Sequence, residues 1–187
     1  MYKVNTYTCS CCGKVHNGWP ALTYDSPVQY NNLSKADKKK FGTLSADFCI
    51  LTHPESTGQF IRCTLTQKVT DHCEDLEYGL WVSLSDKSYR DYSDNYHNKN
   101  YETKYFGWLC NDLPDYEFNE SIPTTVFTRT GNNRPEIVPF PDFEHLFVKD
   151  YYNGITKKEA ENRIQNMLTI IRERDKSEGI KRWWKFW

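Results

Sequence analysis

No stretch of this 187-residue chain approaches eighteen consecutive apolar residues, so no membrane-spanning helix is expected. The opening residues, MYKVNTYTCS, hold no apolar signal-peptide core, which argues against secretion and for a cytoplasmic protein. There is no glycine-rich phosphate loop, no H-E-x-x-H pair and no dinucleotide fingerprint, so nucleotide-driven and zincin-type chemistry have no motif to rest on. Internal repeats and low-complexity linkers are absent too, and the length is that of one domain. Residues 1–180 are read as that domain, with a cysteine knuckle at 5–20, and residues 181–187 as a tail. Methionine is scarce at two residues and the hydrophobic fraction is only 38%. What replaces the aliphatics is aromatic: thirteen Tyr, ten Phe and six Trp, which must supply much of the core.

Charge is balanced overall at -1 but uneven along the chain. Asp71 to Glu120 holds twelve acids against four bases, and Thr156 to Trp187 nine bases against five acids. An acidic body with a pI near 6.5 argues against nucleic-acid binding as the main task. Both charged stretches are expected to be solvated surface.

The local patterns are those of an α+β protein. Ser34 with Asp37 three residues on caps a short helix that Gly42 ends. Leu44–Leu51 reads as one strand. Phe60–Val69 reads as a second, with Ile61, Cys63 and Leu65 on one face and Arg62, Thr64 and Thr66 on the other. Along Tyr78–Leu84, Tyr78, Leu80, Val82 and Leu84 share a face opposite Gly79, Trp81 and Ser83. Ser85 caps a helix with Tyr89, Tyr92 and Tyr96 at helical spacing. Thr124–Thr130 and Glu136–Phe140 are further strands, and Pro135, Pro139 and Pro141 place the second at a sheet edge. Thr156 and Glu159 open a long amphipathic helix with Ala160, Ile164, Met167, Leu168 and Ile171 as its stripe and Gly179 as its stop. The fold expected is an antiparallel sheet of about five strands, helices on one face, and an N-terminal zinc-knuckle-like turn.

The sharpest chemical signal is Cys9-Ser10-Cys11-Cys12-Gly13-Lys14-Val15-His16. Two cysteines two residues apart, with glycine after the second, suit a zinc knuckle, because the glycine can take the left-handed turn. His16 is close enough to serve as a third ligand. A second C-x-x-C pair is missing, so a fourth ligand must be an isolated residue: Cys49, Cys63, Cys73, Cys110 or His145. Cys49 is preferred, since it sits beside a strand start. Cys63 and Cys110 read as packed thiols and Cys11 as spare. The metal expected is zinc in a structural role. A thioredoxin-like redox pair is the rival, but it needs a core strand before the C-x-x-C and a helix after it, and Gly13 discourages the helix.

Elsewhere the bland readings hold. Ser85 is a helix cap rather than a nucleophile, and Asp112, Asp115, Glu117 and Glu120 form a solvated acidic loop. His145 is a packing histidine that can also reach a metal. The tail carries Trp183, Trp184 and Trp187 among basic residues, a composition that fits a partner groove, weak peripheral contact with a membrane surface, or the protein's own surface.

Several ordered segments together resemble the bacterial domain-of-unknown-function family numbered 2199. They are Cys9–His16, Asp47-Phe48-Cys49, Phe60-Ile61-Arg62, Trp81–Ser85, Gly107-Trp108-Leu109, Leu113–Tyr116, Arg134-Pro135, and His145 followed by Gly154-Ile155. The resemblance covers roughly residues 5–170 and implies a bacterial cytoplasmic protein with no established activity. It also maps recurring Cys and His positions onto Cys9, Cys12, His16, Cys49 and His145. The tail lies outside it. The function expected is a zinc-stabilised module that binds another protein, an immunity or accessory role being one version. A metal-dependent hydrolase using the Cys/His site is the alternative, and a thiol redox or nucleic-acid-binding protein the third.

Overall fold

The computed structural model describes residues 6–8, 13, 15–131 and 133–183. Cys9, Cys12, Trp184 and Trp187 lie outside the described residues, and of His16 and Trp183 only the backbone is described. A small antiparallel hairpin comes first: β1 (Thr6–Thr8) pairs with β2 (Val15–Asn17), placing Tyr7 opposite His16. Gly13, in the connection, has φ +68, the left-handed turn that the knuckle reading requires.

The main sheet has eight strands among the described residues. They are β3 (Leu22–Thr23), β4 (Gly42–Leu44), β5 (Phe48–His53), β6 (Ser56–Gln67), β7 (Leu76–Ser83), β8 (Lys104–Leu109), β9 (Pro123–Phe127) and β10 (Glu136–Pro139). Their order is β3-β7-β8-β9-β10-β6-β5-β4, and β6 also pairs with β7. That extra pairing closes β6 to β10 into a five-stranded barrel. The expected five-stranded antiparallel sheet is therefore corrected on two points: three strands lie outside the ring, and β10–β6 and β3–β7 run parallel.

β10 is not an edge strand. Its prolines are tolerated because neither falls where the ladder needs an N–H: Thr64 N–H donates to the Pro135 carbonyl at 2.8 Å, and Phe140, not Pro139, donates to the Pro123 carbonyl at 3.0 Å. The Leu44–Leu51 strand is divided by a tight turn, in which Phe48 N–H donates to Ser45 Oγ at 3.0 Å and Ser45 N–H to the Phe48 carbonyl at 2.8 Å.

The strand alternation sets two apolar faces. Ile61, Cys63, Leu65, Tyr78, Leu80, Val82, Val126 and Ile137 fill the main core. On the opposite face Phe60 and Trp81 join Cys49, Leu51 and Cys110 in a second cluster. Phe60 and Trp81 give the second face of β6 and β7 an apolar patch that also needs cover, and helices on one face alone cannot supply it. Tyr30, on α1 (Val28–Asn31), and Leu33 pack on the second cluster. Phe147 and Val148 of α4 (Leu146–Asn153) and Ala160, Ile164 and Met167 of α5 (Lys157–Trp183) close the first.

The two remaining helices are capped as their sequences predict. Ser34 accepts from Asp37 N–H at the start of α2 (Lys35–Phe41), and Ser85 from Ser88 N–H at the start of α3 (Asp86–Asp94). The last helix runs beyond Gly179, which lies inside it and is no stop. One interior glycine costs only about 1 kcal/mol, which a long run of good helix formers outweighs. No helix among the described residues is long and apolar enough to cross a membrane.

Candidate functional site: a polar cleft around Asp47 and Arg134

The Ser45–Phe48 turn holds Asp47 at the rim of a cleft of about 650 Å³. The Asp47 carbonyl accepts from Arg62 N–H at 2.9 Å, which ties the turn to β6. Both carboxylate oxygens are engaged: Oδ1 receives Arg134 Nε at 2.6 Å, and Oδ2 receives the Tyr96 hydroxyl at 2.8 Å. Charge-assisted contacts of this length are the strong class of hydrogen bond.

The opposite wall is the β9–β10 connection. Arg129 donates from Nε to the Arg134 carbonyl at 2.8 Å and from Nη2 to Thr64 Oγ1 at 3.0 Å. Its Nη1 lies 3.7 Å from Glu136. The third wall is the end of α3, where Tyr92, Asn95, Tyr96, His97 and Asn98 face the space. Tyr101 stands behind them, its hydroxyl shared with Asp91, which also accepts from the Tyr105 hydroxyl at 2.8 Å. These two phenols hold the Asp91 carboxyl below its usual range. Arg62 lies alongside. Its Nε is buried with no hydrogen-bond partner among the described residues. Burial first, and then the charge of Arg134, pull its pKa down from the ordinary arginine value.

The cleft assembles segments far apart in sequence. Asp47, Arg62 and Arg134-Pro135, three of the pieces that carried the family resemblance, meet here. Neither arginine has a spacing that marks it as functional in the sequence, unlike the cysteines and histidines. The signal was present in the short motifs around Asp47, Arg62 and Arg134.

The expected metal ligands are distributed differently. Cys49 has no exposed surface and packs with Leu51, Phe60, Trp81 and Cys110. Burial, and secondarily Cys110, push its thiol up to about 12. His145 caps α4: its Nδ1 accepts from Phe147 N–H at 3.0 Å and its Nε2 donates to the Glu117 carbonyl at 2.8 Å. Its ring stacks on Phe118 at 4.9 Å. Each would have to leave these partners to bind a metal. Cys63 and Cys110 are buried, as the packing reading anticipates, and Cys73 is exposed. Beside Cys73, His72 stacks on Trp19 at 4.4 Å, and Trp19 N–H donates to Glu74 Oε1 at 3.1 Å, so this acidic loop lies against the segment that follows β2. No three His, Cys, Asp or Glu side chains among the described residues converge as a metal set.

A second surface feature is aromatic. Phe106 and Trp108 point outward from β8 at 47% and 43% exposure, and Phe140 stands beside them. Phe106 meets Trp108 edge-on at 5.0 Å and Phe140 at 5.6 Å.

No curated protein and no solved structure matches this chain. Residues 8–155 match the family model described as an uncharacterised protein conserved in bacteria, DUF2199, and the chain belongs to that family.

Proposed function

We propose that the protein is a binding module and that the cleft around Asp47 and Arg134 is its recognition site. The observation that carries this reading is Asp47, whose two carboxylate oxygens are both held, by Arg134 and Tyr96, at the wall of the cleft. A site whose polar groups are already positioned loses little freedom on binding. The cleft volume falls within the range of small-molecule sites, and its amide, imidazole and guanidinium groups suit a polar ligand. The test is a thermal-shift screen of polar metabolites on the full chain. A true ligand at a hundred times its Kd stabilises by about 2.7 kcal/mol, a rise of several degrees. The shift should vanish in Asn98→Ala. A ligand whose shift survives that change binds elsewhere, and a screen without any shift counts against the reading.

A protein partner is the second reading, favoured by the exposed Phe106–Trp108–Phe140 stripe. Aromatic anchors of this kind are enriched in interfaces. Photo-crosslinking from position 106 in cells should yield one dominant adduct, and a smear of many adducts would count against it. An immunity or accessory role is one form this partnership can take.

We also propose that Cys9, Cys12 and His16 hold one structural zinc. The positive φ of Gly13 and the Tyr7–His16 pairing support the knuckle. Zinc there would crosslink the hairpin, and no reaction is assigned to it. Metal content of protein purified without a metal-affinity tag is the test, with Cys9→Ser expected to lose about one zinc per chain. Cys49→Ser, Cys73→Ser and His145→Ala then identify the fourth ligand. Metal-free protein from reducing conditions would overturn the zinc reading.

A further inference from the structure

We infer that the cleft selects a ligand bearing an oxyanion, a phosphate or a carboxylate, and seats it on the two terminal nitrogens of Arg134. This rests on the reading of the cleft as the recognition site and names the chemistry it prefers.

The two guanidiniums that line the cleft are used differently. Every nitrogen of Arg129 already has a partner: Nε donates to the Arg134 carbonyl, Nη2 to Thr64 Oγ1, and Nη1 faces the Glu136 carboxylate at 3.7 Å. Arg134 differs. Asp47 takes only its Nε, and the terminal pair makes no hydrogen bond among the described residues. The side chain is 42% exposed, so that pair is reachable from the cleft. A guanidinium held along one edge keeps a second, end-on edge whose two parallel N–H groups match the two oxygens of a carboxylate or phosphate. The hydrogen bond to Asp47 fixes the plane of the fork, so the end-on edge is oriented before any ligand arrives.

Net charge does not make the choice: Arg62, Arg129 and Arg134 are matched by Asp25, Asp47 and Glu136. What an anion gains is the oriented end-on edge of Arg134, which lines a partly enclosed space where charge is screened less than in bulk water. A neutral polyol can use the Asn98 amide and the tyrosine hydroxyls, but it offers that edge no charge-assisted bond.

Isothermal titration of the full chain with two matched pairs tests this: ribose against ribose 5-phosphate, and glucose against gluconate. At least one charged member should bind about tenfold or more tightly than its neutral partner, and its affinity should fall as salt rises. Which of the two does so distinguishes phosphate from carboxylate. Arg134→Gln should lose that advantage, Arg134→Lys should keep part of it, and Arg90→Gln, on an exposed ion pair of α3, should leave it unchanged. If Arg134→Gln does not fold, the lysine variant carries the comparison alone.

Equal binding of charged and neutral partners overturns the inference, as does anion binding that survives the loss of Arg134. Silence from all four probes overturns it too. If neutral polyols bind and lose affinity in Asn98→Ala, the cleft remains a binding site and only its proposed preference for anions falls.

Discussion

Replacing Arg163 with alanine should destabilise the protein more than any surface change. Arg163 is 2% exposed, yet it carries a full charge. Its Nη2 meets Asp150 Oδ2 at 2.8 Å, its Nε meets Glu159 Oε1 at 3.0 Å, and its guanidinium lies 4.8 Å from the centre of the Tyr116 ring. Asp150 is itself pinned by the Tyr116 hydroxyl at 2.7 Å. Together these contacts tie α5 to α4 and to the loop before β9.

Removing one partner of a buried pair typically costs 3–5 kcal/mol, roughly, because the other charge is left without compensation. Asp150 retains 23% exposure and Glu159 45%, so water can repair part of the loss. The lower end, about 3 kcal/mol, is expected, and it corresponds to a fall in melting temperature of roughly 6–12 °C for a chain of this size. Urea denaturation measures it directly. A double-mutant cycle with Asp150→Asn should return a coupling of about 1–3 kcal/mol. Arg90→Ala is the control: its pair with Asp86 is 73% and 63% exposed, and exposed pairs are worth under about 1 kcal/mol. A loss for Arg163→Ala below about 1 kcal/mol, or no coupling to Asp150, would refute the reasoning.

Gly154→Ala should cost at least about 1–3 kcal/mol in the same assay, because φ is +80 and the new Cβ would fall 2.7 Å from Thr70 Cγ2; an unchanged midpoint would contradict this. Thiol labelling of the native protein near pH 8, mapped by mass spectrometry, should modify Cys73 and spare Cys49, Cys63 and Cys110 until urea is added. With its pKa near 12, only about 0.01% of Cys49 is thiolate at that pH, so rapid native labelling there would disprove its burial. Asp91 should titrate below an ordinary carboxyl by NMR, because Tyr101 and then Tyr105 donate to it. A depressed folded value means that the stability Asp91 lends is present above the unfolded pKa and is lost as pH falls through the folded one. Tyr105→Phe should move that loss to higher pH, and an unmoved titration would show that the bond is not formed in solution.

Much of the fold can be read locally. The caps at Ser34, Ser85 and Thr156 each accept the backbone N–H expected of them, from Asp37, Ser88 and Glu159. A cap interacts only with its own first turn, so a few residues decide it. The division of β7 into a Tyr78–Leu80–Val82 face and a Trp81 face is equally local, since successive side chains on a strand alternate. The path of β10 is not local. Pro135 and Pro139 mark an edge strand only if the neighbour needs their missing N–H groups, and β6 needs the Pro135 carbonyl instead.

The candidate site shows the same division. A cysteine pair announces its chemistry by spacing. Asp47, Arg62, Arg129 and Arg134 are ordinary surface residues in the chain and become a site only where a turn, a strand and a hairpin loop converge. Cys49 and His145 mislead in the opposite sense. Each has a ligand's chemistry, and its surroundings put that chemistry to structural use, Cys49 against Trp81 and His145 as a helix cap.

The sequence by itself determined the helices that Ser34, Ser85 and Thr156 open, the alternation of β6 and β7 and the absence of long apolar runs, because each depends on residue chemistry within a few positions, and its short motifs taken in order determined the family. Only the tertiary structure decided that β6 pairs with both β7 and β10 to close a barrel, that helical segments cover two faces, and that three arginines gather around Asp47. Those outcomes depend on which distant segments share a seam or a cleft. The hydrogen bonds and ion pairs that settle them form only once the chain has closed on itself.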